Sequence, residues 1–144
     1  MTRIAVTAAV AVLALVVAGL APAADLPRTA APAKARVYFI APTDGQVLKG
    51  PVTVRFGLEN MGVAPAGTVA EGTGHHHLVI DAPLPALDKP LPMDDKHMHF
   101  GKGQTETVLK LPPGKHTLQL VLGDASHVPH QPAVVSEQIT ITVK

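Results

Sequence analysis

The sequence predicts an all-β fold, a single antiparallel β-sandwich of immunoglobulin-like type. Three observations predict it. Beyond residue 35 the apolar residues alternate with period two, Pro- and Gly-rich turns divide the alternating stretches, and no segment of that region carries the 3.6-residue period of an amphipathic helix. Six or seven short strands in about 110 residues are what such a sandwich needs. The Cys pair and buried Trp of antibody domains are missing, because the chain has no Cys and no Trp, so a small barrel is the alternative.

Arg36 to Ile40 is β-branched and aromatic, and Pro42-Thr43-Asp44-Gly45 supplies a tight turn after it. Val52, Val54, Phe56 and Leu58 then alternate with Thr53, Arg55 and Gly57, the pattern of a half-buried strand. Further strands are expected at His75–Asp81, Thr105–Leu111, His116–Gly123 and Val134–Val143, with Pro112-Pro113-Gly114 as a hairpin-like connection. Two connections are longer than a compact sandwich requires: Glu59 to Thr73, and the Pro-rich stretch from Ala82 to Gln104. Long loops tend to carry function.

The N-terminus reads differently. Arg3, the apolar run Ile4–Leu20 and the small-x-small pattern Ala21-Pro22-Ala23 make residues 1–23 a secretory signal peptide. Residues 24–35 read as a flexible leader and residues 36–144 as the domain. Cleavage leaves about 120 residues, enough for one core. The expected location is the periplasm or the cell exterior of a bacterium, with no membrane attachment after cleavage.

Composition excludes several functions. With no Cys there is no disulfide scaffold, thiolate catalysis, iron–sulfur cluster or blue-copper site. A net charge of +1 without a basic run, and 3% aromatic residues, argue against nucleic-acid binding. Neither Ser126 nor Ser136 lies in a nucleophile elbow, and there is no phosphate loop or dinucleotide fingerprint, so the chain does not read as an enzyme of those kinds.

The histidines stand out. All 8 fall between His75 and His130, in three close sets, His75-His76-His77, His97-x-His99 and His127-x-x-His130, with His116 apart. On a strand, residues i and i+2 face the same way at a spacing of about 6.6 Å, within reach of one ion held at about 2.0–2.1 Å by each imidazole. His75 and His77 can therefore share a metal, while His76 points to the opposite, core-side face. Asp81 has the parity of His75 and His77 and could orient a ligand. His97 and His99 would come from the long loop as a second pair, and His127 and His130 from the last long loop as further ligands. The metal candidates are thus His75, His77, His97, His99, His127 and His130, in one site or two. His116 shares the parity of Leu118, Leu120 and Leu122 and reads as a strand-end residue rather than a ligand. Met98 is the one methionine weighed as a thioether ligand, which would suit Cu(I). Imidazole alone suits Cu(II) or Zn(II), and copper leads the affinity order. The expected function is metal sequestration or delivery, copper before zinc, with release as rings protonate near a pKa of about 6.5. The alternatives are an immunoglobulin-like interaction module that meets a periplasmic protein partner without metal, and a metal-dependent enzyme.

Several of these segments resemble one known family. Arg36-Val-Tyr-Phe-Ile-Ala-Pro-Thr-Asp-Gly45, Thr73-Gly-His-His-His-Leu-Val-Ile-Asp81, His97-x-His99-Phe100-Gly101, Leu111-Pro-Pro-Gly114 and Leu118–Asp124 with His127-x-Pro-His130 are similar to the bacterial domain of unknown function 4399. The resemblance spans Ala35 to Lys144. It implies an exported bacterial domain with histidines at the same three sets, and it implies no activity.

Overall fold

The structure, a computed structural model, describes residues 28–144. The expected signal peptide lies outside the described residues. Among these, the elements are strands: β1 (Arg36–Ala41), β2 (Val47–Leu48), β3 (Val52–Glu59), β4 (Gly62–Val63), β5 (Thr73–Ile80), β6 (His97–His99), β7 (Glu106–Leu109), β8 (Gly114–Gly123) and β9 (Ile139–Val143). The fold is all-β.

Two sheets form. The smaller has the order β1-β3-β7, antiparallel throughout. The larger runs β2-β9-β8-β5-β4, with β6 also paired to β5. Its long pairings, β5 with β8 and β8 with β9, are antiparallel, and only the two-residue strands β2 and β4 run parallel to their neighbours. Alternation does what period two demands. Val37, Val52, Val54 and Phe56 from the smaller sheet meet Leu78, Ile80, Leu118, Leu120, Leu122, Ile139, Ile141 and Val143 from the larger in one core. Each such side chain contributes about 1.5–3 kcal/mol on burial, and together they press the two sheets face to face.

Some expectations are corrected. Pro112-Pro113-Gly114 is not a hairpin: β7 belongs to the smaller sheet and β8 to the larger, so this connection crosses between sheets. The last strand begins at Ile139 rather than Val134, because Ser136 turns its hydroxyl onto the Leu120 amide at 2.9 Å and interrupts the ladder. The leader's described part, residues 28–35, lies against the body of the domain, with Ala30 bridged to Gln131.

One feature of the larger sheet positions the site. Its outer face is not open to water, because the long connection after β5 folds over it and buries Val79, Val121 and Leu91 in a second cluster with Ala82, Leu84 and Leu87. Both faces of β5 are therefore buried from Gly74 onward. Side chains on the outward parity of β5 sit under cover, and two of them are imidazoles.

Candidate metal centre

His75 and His77 share the outer face of β5, and each is buried, at 1% and 2% exposure. The register sets His99 of β6 directly opposite His77. The fourth ring comes from the turn after β8. Asp124 there accepts the amides of Ser126 and Val128 on one carboxylate oxygen, at 2.8 and 3.0 Å, and its carbonyl accepts the His127 amide at 3.0 Å. These bonds close a tight turn with His127 in the left-handed region at φ 65°, a conformation that His tolerates better than bulkier residues. Leu91 donates its amide to the His127 carbonyl at 2.9 Å, so the covering loop braces the same turn.

The four rings converge. Nε2 of His75 lies 3.0 Å from Nε2 of His77 and 3.1 Å from Nδ1 of His127. Ring centroids of His75 and His99 are 5.0 Å apart, and those of His99 and His127 are 4.7 Å apart. One nitrogen from each of His75, His77, His99 and His127 falls within 4.8 Å of all the others. Four nitrogens at about 2.0–2.1 Å from a tetrahedral ion would be about 3.3 Å apart. Small ring movements suffice to reach that arrangement, so the cluster could hold a metal ion.

The donor set is short of partners without one. A neutral imidazole nitrogen offers one proton or one lone pair, so Nε2 of His75 can satisfy only one of its two ring neighbours. Among the described residues Nε2 of His99 is buried without a hydrogen-bond partner, while the unpartnered Nδ1 atoms of His75 and His77 are the ring nitrogens opposite the Nε2 atoms that face the cluster. Burial pushes the His75 pKa down to about 4, with the nearby rings of His127 and His99 adding to the fall and the Asp124 charge opposing it. Burial, then the neighbouring rings of His75, His99 and His127, brings His77 to about 3. His99 is lowered as well, first by burial and then by His127. The ring nitrogens of His75 and His77 therefore stay neutral, the form that ligates metal, well below the value of about 6.5 expected from sequence.

Two glycines make room. A Cβ on Gly101 would overlap the His99 ring, and one on Gly123 would stand 2.9 Å from Nε2 of His77. Neither glycine has a positive φ, so both are required for space rather than backbone freedom. In the sequence these glycines and Asp124 stand only within segments shared with a family, and nothing in that resemblance gives them a role at the site. Gly123-Asp124 directly after an alternating strand was the available signal.

The remaining predicted residues lie elsewhere. His97 is on the same face of β6, but its Nδ1 is bonded to Asp94 at 2.8 Å, and its ring is not part of the cluster. His130 is fully buried and donates Nε2–H to the Thr73 carbonyl at 3.1 Å. Asp81 does not orient a ligand of the cluster. The chain leaves β5 at Asp81 with φ 50°, and its carboxylate takes the Thr117 amide at 2.8 Å and Nδ1 of His116 at 2.7 Å. His116 also donates to the Pro112 carbonyl at 2.8 Å, a satisfied strand-end residue whose pKa is raised mainly by the bond to Asp81. His76 faces the core against Phe56, as its parity requires, with ring centroids 5.1 Å apart. Met98 pairs with Leu78 and packs on the same core, away from the four rings, so the thioether argument for Cu(I) falls.

Comparison with known proteins places the chain in a family. A family model described as "Domain of unknown function (DUF4399)" matches residues 54–144, more than half of the chain, and the protein belongs to that family. All four clustered histidines fall within the matched range. No curated protein matches. Among solved structures, an endo-beta-1,4-mannanase from Thermotoga petrophila is similar over 77% of this chain at 18% identity, with a TM-score of 0.45; the chain spans 20% of that chain.

Proposed function

We propose that this domain is an exported, periplasmic or secreted protein that binds a transition-metal ion, copper ahead of zinc, through His75, His77, His99 and His127. The observation that carries the reading is the convergence of four imidazoles, two buried and two half-buried, whose nearest ring nitrogens face one another, with Nε2 of His99 left without a hydrogen bond. The donor set is all nitrogen. Such a set favours Cu(II) and Zn(II) over the alkaline-earth ions, and the affinity order puts copper first. Four protein ligands fill a tetrahedral shell and leave no open position for a substrate. That favours holding the ion, as in sequestration or delivery, over catalysis.

The test is elemental analysis of the untagged protein after exposure to copper and to zinc and exhaustive dialysis. Retention of about one equivalent, lost in a His75→Ala/His77→Ala double variant, is the expected result. Retention near zero for both metals overturns the reading and favours an interaction module.

A further inference from the structure

The segment before β1 is tied to the turn that carries His127. Ala31 donates its amide to the Gln131 carbonyl at 3.0 Å, and Gln131 donates to the Thr29 carbonyl at 2.8 Å. Nε of Arg28 donates to the Pro129 carbonyl at 3.1 Å, and the same guanidinium also bonds the side chain of Gln131. The strap thus runs beside residues 129–131. From it the Thr29 hydroxyl donates to Asp124 Oδ2 at 2.8 Å. Asp124 therefore has a divided carboxylate. Its Oδ1 folds the turn through Ser126 and Val128, while its Oδ2 is held by the strap.

We infer that residues 28–31 form a latch on the metal centre, in which Thr29 fixes Asp124 and Asp124 fixes His127. Thr29 and Asp124 are positioning residues, since neither offers an atom to the clustered nitrogens. Among the described residues Asp124 has no other side-chain partner on Oδ2, so release of Thr29 lets the carboxylate rotate and loosens both amide bonds that hold the turn. His127 is the one clustered ring carried by a turn rather than a strand. It is the ligand that can leave while His75, His77 and His99 stay fixed on paired strands. Undocking the strap would convert a four-ring centre into a three-ring centre, and the strap so controls how fast the ion leaves. The inference rests on the metal reading for its function, but the link from strap to turn is independent of any ion.

The experiment uses the full chain with Thr29→Val, which keeps the side-chain shape and removes the donor, and with Thr29→Ser, which restores it. In metal-free protein, amide exchange at Ser126 and Val128 should quicken about three- to tenfold in Thr29→Val, as expected for loss of one hydrogen bond of ordinary net strength, and return in Thr29→Ser. In copper-loaded protein, transfer of Cu(II) to a competing chelator should quicken by a similar factor. Adding Thr29→Val to His127→Ala should have no further effect on that transfer. Unchanged exchange at Ser126 and Val128 overturns the latch. So does an equal acceleration of copper release with and without His127. A wild-type protein that keeps no copper, while Thr29→Val still speeds exchange, overturns the metal reading and leaves the latch on the turn standing.

Discussion

Replacing His76 by Leu should stabilise the protein, and more so in acid. His76 is fully buried, and its ring nitrogens have no well-formed hydrogen bond, only the approach of the Gln104 backbone to the ring. Leaving a buried polar group unsatisfied costs about 1–3 kcal/mol, whereas the stacking with Phe56 that Leu forfeits is worth about 0.5–1.5 kcal/mol. At neutral pH the balance favours Leu by about 1 kcal/mol, or roughly 3–5 °C in melting temperature for a domain of this size. Burial lowers the His76 pKa from 6.5 to about 4. Because the unfolded ring binds its proton at the higher pH, the wild type loses stability as pH falls from 6.5 toward 4. Each pKa unit is worth about 1.4 kcal/mol, so by pH 4.5 the advantage of Leu should grow by about 2 kcal/mol. Urea unfolding of the metal-free proteins at pH 7 and 4.5 measures both effects. A gap between the variants that stays constant across these pH values, or a destabilised variant at pH 7, would refute the reasoning.

Other expectations follow from the same geometry. His99→Ala should weaken copper binding at least tenfold in a chelator competition, whereas His97→Ala should leave it within about twofold, because the Asp94-bound ring lies outside the cluster. Gly123→Ala should also weaken binding about tenfold while the metal-free fold persists by circular dichroism, since its Cβ crowds Nε2 of His77. Proton release on copper binding at pH 6, read by calorimetry in buffers of different ionisation enthalpy, should not exceed about two per ion, as His75 and His77 are already neutral there. Asp81→Asn should remove a stabilisation that is complete below pH 6.5 and fades as pH rises through the raised His116 value. Asp81 is 39% exposed, so the loss in thermal unfolding at pH 6 should stay near or below about 1 kcal/mol.

The parts of this molecule that period-two alternation governs were legible in the sequence. His75 and His77 lie on one face and His76 on the other because neighbouring strand residues must point apart, and the same rule placed the Leu118, Leu120 and Leu122 face in the core. What alternation does not encode is which strand pairs with which. The crossing from β7 to β8 between sheets has the composition of a hairpin turn. Nor does it encode competition among local hydrogen bonds. His97 and His99 share a face, but Asp94 three residues earlier captures only the first. His127 and His130 sit three residues apart, and the Asp124 turn sends only His127 to the cluster. The strand parity of Met98 was hidden because a three-residue strand inside a Pro-rich connection offers too little alternation to detect.

X-ray absorption spectroscopy of the copper-loaded, untagged protein tests the central claim most directly. A copper edge with a shell of about four imidazole nitrogens near 2.0 Å, reduced to fewer in His127→Ala, is the predicted result. A shell containing sulfur, one dominated by carboxylate oxygen, or an identical shell in His127→Ala would contradict the four-histidine centre.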